Sequence, residues 1–403
     1  MIRDLEKPWE DGLSQTITFI VTKDCQLACK YCYLVGKNSN ERMSFSVAKT
    51  AVDYVLDHKC EFKYRSVVWD FIGGEPFLEI DLIDKICDYI KTEMFRKNHP
   101  WFNSYRFSFS TNGINYDSES VQAFIKKNRA HLSIGITIDG TKRKHDLNRI
   151  YKKTEKGSYD DVVKNIPLWL KQFNDEPATK VTISSNDIPY IKESVLHLFS
   201  LGIHEVDINC VFENVWKEGD DRLFEYQLTD LADAMIDHSY YKDFTCSFFN
   251  ENIGKPMDVS KDNQNWCGAG IMLSIDAAGN FYPCTRYAGY SLRSKKPLII
   301  GNVNDGIDKN KLRPFLTLDR TTQSPQECIE CEVASGCAWC QGENYDAADT
   351  NTIYQRSIAI CKMHKARVRA NNYYWNKLYR KLELEGKREE FEKNKKEVRP
   401  EIC

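Results

Sequence analysis

The sequence predicts an α/β protein: a partial (β/α)6 barrel, then a small domain stapled by metal clusters, then a C-terminal helix. Three observations predict it. Residues 15–240 alternate short β-rich runs with longer amphipathic stretches. Four polar or Gly-rich motifs fall at the C-terminal ends of those runs. Ten of the fifteen cysteines gather in two sets, three near the start and seven between 267 and 361.

The strand candidates are "TITFIVT" (16–22), "SVVWDFI" (66–72), "YRFSFST" (105–111), "HLSIGITID" (131–139), "KVTISS" (180–185) and "EVDINCV" (205–211). Helical patterns occupy 44–57, 79–95, 117–127, 158–173, 188–200 and 225–237. Strict strand–helix alternation reads as a parallel sheet, curled into a partial barrel. Chemistry in such folds gathers where the strands end. The cysteine triplet, "GGEP" (73–76), "STNG" (110–113) and "IDGT" (138–141) all lie there.

A short extension (1–14) precedes the barrel, and a bridging segment (241–265) follows it. Residues 266–365 are rich in Cys, Gly and Asp, with short strand patterns in "GIMLSID" and "FYPC". So small an apolar core needs staples, which metal clusters supply. The segment 366–403 reads as a helix, its pattern running from 362 to about 396 and solvated by its many Lys, Arg and Glu.

Composition narrows the function classes. The formal net charge is −2 with the signs well mixed, so nothing calls for nucleic acid or an anionic membrane. Apolar runs such as "PLII" are far short of a span, and "MIRDLEKPWEDG" is no secretory signal. A cytoplasmic location is expected. In a reducing compartment, fifteen cysteines point to iron–sulfur or zinc ligation rather than disulfides.

"KDCQLACKYCY" (23–33) places Cys25, Cys29 and Cys32 directly after the first strand. A [4Fe–4S] cluster takes four thiolates as a rule. Three in one loop leave one iron open to a small chelating molecule. A zinc loop closed by a distant residue is the alternative, although no His stands at ligand spacing nearby.

This C-x-x-x-C-x-aromatic-C run resembles the signature of the radical S-adenosylmethionine (SAM) superfamily. The resemblance implies a SAM-binding [4Fe–4S] cluster and a 5′-deoxyadenosyl radical that abstracts hydrogen from substrate. It implies that Tyr31 lies near adenine and that Gly73, Gly74 and Glu75 meet the methionine amino group. Ser110 and Asn112 would hold the ribose and methionine ends. Arg149, closing "DGTKRKHDLNR" (139–149), would pair with the SAM carboxylate in a bidentate fork.

The later cysteines run Cys267-x11-Gly279-x4-Cys284, then Cys328-x2-Cys331-x5-Cys337-x2-Cys340, then Cys361. A zinc ribbon would need only four. The order resembles the SPASM domain, which carries two auxiliary [4Fe–4S] clusters, making three in all. By that resemblance Cys328, Cys331, Cys337 and Cys361 hold an outer cluster. Cys267, Cys284 and Cys340 hold an inner one. Its fourth position is either Cys246 or an open iron able to take substrate sulfur.

The chain is most similar to maturases that act on ribosomally made precursor peptides with Cys-containing repeats. Those join a Cys sulfur to a carbon of a nearby residue, in some cases an acidic one. Arg286, just past Cys284, is the candidate for meeting that acidic acceptor. The resemblance also implies an electron donor such as flavodoxin or ferredoxin. Alternatives are an anaerobic sulfatase-type maturase making formylglycine, a carbon–carbon cyclase, and a peptide epimerase using Cys210. Against the sulfatase type, Thr285 stands where those enzymes carry Asp after the cysteine. With a short extension ahead of the barrel, the peptide is expected to be gripped by the barrel, the SPASM domain or a separate protein.

Overall fold

Alternating side chains from residue 14 onward form the first strand, β1 (Ser14–Thr22), in a computed structural model that describes residues 14–37, 39–173, 178–265 and 267–394. The barrel half then runs α1 (Phe45–Asp57), β2 (Ser66–Gly73), α2 (Ile80–Arg96), β3 (Tyr105–Thr111), α3 (Glu119–Asn128), β4 (Leu132–Ile136), α4 (Lys142–Asn148), α5 (Tyr159–Val163), α6 (Ile166–Gln172), β5 (Ala178–Ile183), α7 (Ile191–Ser200), β6 (Glu205–Cys210), α8 (Asp220–Asp237) and β7 (Thr245–Cys246). The predicted α/β alternation is present.

Local chemistry moved several boundaries. The helix expected over 158–173 is two, because Pro167 starts a new one at Ile166 after a break. The helix expected from 188 begins at Ile191, behind a 3-10 turn (Ser185–Tyr190) that contains Pro189. The helix expected from 225 begins five residues earlier, at Asp220, behind Gly219 in the left-handed region (φ 87°).

Contacts divide the chain into two compact units. One holds β1, residues 32–135 and 268–318; the other holds residues 27–31, 136–267 and 319 onward. In the first, β1, β2 and β3 pair in parallel, with Phe19 opposite Phe71 and Phe71 opposite Phe109. These rings stack at 5.6 and 5.3 Å and are buried with Trp69 and Phe107. Aromatic rings on one pleated face bury large apolar areas, which stabilises the sheet. The other face carries Thr18, Asp70 and Ser108 in register, and the Thr18 hydroxyl donates to Asp70 at 3.3 Å. One face is therefore aromatic core, and the other mixes these polar side chains with Ile20 and Ile72.

The Cys-rich region extends this sheet. After α9 (Val259–Asp262), strands β8 (Leu273–Ile275), β9 (Asn280–Tyr282), β10 (Gly301–Asn302) and β11 (Gly306–Ile307) continue it in the order β11-β10-β9-β8-β1-β2-β3-β4. Pairing of β8 alongside β1, Ile17 opposite Leu273, was not legible from local pattern. In the second unit β5, β6 and β7 form a three-stranded parallel sheet.

The remaining helices are α10 (Lys309–Thr317), α11 (Arg320–Gln323), α12 (Gln326–Ile329), α13 (Gln341–Ala347), α14 (Cys361–Leu384) and α15 (Arg388–Asn394). The single solvated C-terminal helix is corrected twice. Gly386, at φ 66°, breaks it between α14 and α15. A face of α14 including Val368, Tyr374, Leu378 and Leu382 is buried, and α14 packs along α8. Its charges flank that face, Arg369 meeting Glu225 at 2.6 Å and Lys377 meeting Asp233 at 2.7 Å. Most of the 1–14 extension and the last residues of the predicted 366–403 helix lie outside the described residues. No helix among the described residues is long and apolar enough to cross a membrane.

Candidate functional site

The cysteine loop leaves β1 at Thr22, in register with Gly73 at the end of β2. There the two loops run backbone to backbone. Gly74 N–H donates to Thr22 O at 3.0 Å, and Glu75 N–H donates to Asp24 O at 2.8 Å. A Cβ on Gly73 would stand 2.2 Å from Thr22 O, and one on Gly74 2.1 Å from Asp24 O. Both positions need glycine because this chain's own cysteine loop lies against them.

Glu75 is buried and tied to the end of β3. Its carboxylate accepts from Thr111 Oγ1 at 2.6 Å, Asn112 N–H at 2.7 Å and Phe77 N–H at 3.1 Å. Asn112, also buried, directs Nδ2 to Gln26 Oε1 at 3.0 Å, with Cys25 Sγ at 3.9 Å. Ser110 is exposed, on the polar side of β3.

The middle of the loop pairs with the segment after α4. Ala28 N–H donates to Ile150 O at 2.8 Å, and Lys30 N–H to Asn148 O at 3.2 Å. This short ladder brings Arg149 to Tyr31. Arg149 donates to the Tyr31 hydroxyl at 2.9 Å, and that hydroxyl donates to Asp139. Arg149 is buried and its Nε has no partner. Burial pushes the Tyr31 hydroxyl well above its usual range, against the pull of Arg149. Asp139, fully buried, is held below the usual carboxylate range chiefly by Lys144 and Arg149, which outweigh desolvation. A buried guanidinium with an unpaired N–H beside Cys29 can receive a carboxylate.

Farther along, Tyr33 lies within electrostatic reach of both Cys32 and Cys284. Burial raises its hydroxyl to about 12, against the nearby Arg286. The Arg286 guanidinium sits 4.6 Å over the Tyr33 ring. Arg286 is thus already engaged with an aromatic face.

In the second unit, Cys328, Cys331, Cys337 and Cys361 form one electrostatically coupled group with Arg320 and Arg356. Arg356 donates to Cys337 Sγ at 3.2 Å and to Ser324 Oγ at 3.1 Å. Burial raises the Cys337 thiol, opposed by Arg356 and Arg320. His364, one turn after Cys361, bonds Val333 O at 2.6 Å and so ties the Cys331–Cys337 loop to α14. Cys340, buried, precedes α13; Cys267 is also in this unit, whereas Cys284 belongs to the other. Cys246 lines an aromatic pocket with Phe249, Tyr374 and Trp375, which none of the other cysteines lines. Cys210 lines a separate pocket with Phe224, Phe248 and His364.

Among the described residues no group of three or more His, Cys, Asp or Glu is gathered to hold a metal ion. Thiols as the donor set, with the unpaired Arg149 Nε and the Arg356–Cys337 bond, fit anionic clusters and a carboxylate-bearing cofactor. Sequence reading missed Asp139, Tyr33, Arg320 and Arg356. The arginines' only signal was their position within a Cys-rich stretch.

Residues 19–207 match the family profile described as "Radical SAM superfamily". Such a domain implies a [4Fe–4S] cluster and SAM. An uncharacterized protein of Methanocaldococcus jannaschii is 28% identical over 75% of this chain and 92% of its own length. A serine-type anaerobic sulfatase-maturating enzyme of Bacteroides thetaiotaomicron is 22% identical over 78% of each chain. The solved structure of anSMEcpe with bound AdoMet aligns with a TM-score of 0.67 at 18% identity, covering 90% of this chain and 99% of that one. Streptococcus suis SuiB bound to precursor peptide SuiA aligns at 0.57 and 14% identity, over 86% and 75%. These likenesses show the fold.

Proposed function

We propose that this chain, with a radical SAM domain over residues 19–207, is a peptide maturase. It installs thioether crosslinks between a Cys sulfur and a carbon, that of an Asp or Glu residue, in a ribosomally made precursor. The observation that carries this reading is the Arg286–Tyr33 stack beside Cys284 and Cys32. It puts a cation beside Cys284, where an acidic acceptor would otherwise be costly to bury. The solved complex of the similarly folded SuiB with a precursor peptide supports a peptide substrate.

When bound at Cys25, Cys29 and Cys32, a [4Fe–4S] cluster with SAM supplies a 5′-deoxyadenosyl radical that removes a substrate hydrogen. Arg149 pairs with the SAM carboxylate through the N–H atoms that Tyr31 leaves it. Glu75 would meet the methionine ammonium with its carboxylate. Ser110 and Asn112 would hold the ribose and methionine ends of SAM. Cys328, Cys331, Cys337 and Cys361 hold one auxiliary cluster. Cys267, Cys284 and Cys340 hold a second, with its fourth position left to substrate sulfur, since Cys246 is enclosed by aromatic side chains. Flavodoxin or ferredoxin supplies electrons.

The sulfatase-type reading keeps the support of a relative that matches over 78% of each chain. Thr285 in place of Asp opposes it. Mass spectrometry of the precursor after incubation with reconstituted enzyme, SAM and reductant decides between them. A thioether removes a pair of hydrogens and one alkylatable thiol per link. Loss of hydrogens with every thiol still alkylatable means a carbon–carbon link, and conversion of a single Cys or Ser to an aldehyde means formylglycine.

A further inference from the structure

Two buried cations stand in the four-cysteine group, neither hydrogen-bonded to a carboxylate. Arg320 and Arg356 are 7% and 8% exposed. Arg320 donates to Ala334 O through one terminal nitrogen, and its buried Nε has no partner. Arg356 donates to the Ser324 hydroxyl and Cys337 Sγ, and stands 5.1 Å over the Trp339 ring. None of these partners is a carboxylate. The two guanidiniums also repel each other.

Burying one unpaired ion costs several kcal/mol, and burying two like charges costs more. Three neutral acceptors, one ring and neutral thiols do not offset that. The site becomes stable once the four thiols are thiolates on a cluster, whose net charge is then negative. Resting on the cluster assignment above, we propose that Arg320 and Arg356 are the built-in counter-charge of the Cys328–Cys331–Cys337–Cys361 cluster and set its reduction potential. Reduction by one electron adds one negative charge and changes no protein bond. Cations in contact lower the cost of that charge, so they raise the potential. The N–H···S bond to Cys337 acts in the same direction.

The test uses full-length protein carrying Cys25, Cys29 and Cys32→Ala, so that only the auxiliary clusters remain, titrated with dithionite and read by EPR. Iron is counted in parallel. Arg356→Gln and Arg320→Gln are expected to shift one midpoint potential to more negative values and leave the other unmoved. Arg356→Lys and Arg320→Lys, which keep the charge, should restore most of the shift. Selective loss of about four iron in the Gln variants, with retention in the Lys variants, supports the same role. Unmoved potentials with full iron in all four variants overturn the proposal, as does equal iron loss in Gln and Lys variants. If the parent protein itself holds no iron at these cysteines, the cluster assignment fails instead.

Discussion

Arg149 and Tyr31, 118 positions apart in the chain, share a hydrogen bond of 2.9 Å. The Tyr31 hydroxyl accepts from Arg149 and donates to Asp139, so its orientation is set from both sides. The aromatic residue of the cysteine loop thereby holds the guanidinium that is proposed to grip SAM. Loop and cofactor arginine act together.

Replacing Arg149 by Ala should weaken SAM binding by about 2–4 kcal/mol, since it leaves a carboxylate buried without its partner. Tyr31→Phe keeps the ring and the charge but removes the hydroxyl, and should cost about 1 kcal/mol. Both are read as dissociation constants by calorimetry, with iron content measured alongside. An unchanged constant for Arg149→Ala means another basic residue holds the carboxylate.

Reconstituted wild-type protein should contain about twelve iron and twelve sulfide, as three four-iron clusters require. Replacing Cys25, Cys29 and Cys32 together by Ala should remove about a third of the iron and abolish SAM cleavage. Cleavage surviving in that variant would sink the radical SAM reading.

Gly74→Ala places a methyl 2.1 Å from Asp24 O and 2.9 Å from Cys25 Cβ. Backbone cannot swing aside as a side chain can, so the two loops must part. A loss of about 1–3 kcal/mol in unfolding free energy is expected, with weaker retention of the first cluster under chelation. Tolerance equal to wild type in both measurements would show that the loops separate at no cost.

His145 carries the pH dependence of this corner. It is buried, accepts from Asp139 N–H at 3.3 Å, and bonds Ser158 Oγ at 3.0 Å. Burial first, then Arg149, lower it from 6.5 to about 3. The folded form therefore holds it neutral where the unfolded chain would protonate it. Its stabilisation is complete above about pH 6.5 and falls as pH drops toward 3, by about 1.4 kcal/mol per unit at most. Denaturant unfolding at pH 7 and pH 5 should show that loss, and His145→Asn should reduce it. An identical pH response in the variant would assign the effect elsewhere.

Sequence alone determined the strand–helix order, the cysteine spacings and the placement of four motifs at strand ends. Those are local properties: side-chain periodicity and residue type act over a few positions, so a linear reading retains them. By resemblance it also set the glycines of "GGEP" against the SAM methionine. Tertiary structure showed that they make room first for the cysteine loop, because only the register of β1 against β2 sets Gly74 over Asp24. In the same way, the parallel pairing of β8 with β1 joins residues more than 250 positions apart, and no periodicity encodes it. Arg320 and Arg356 drew no notice in the sequence, and only the fold buries them among four thiols. The energy that gives a charge its role depends on what surrounds it in space, and in this chain those surroundings are assembled from distant segments.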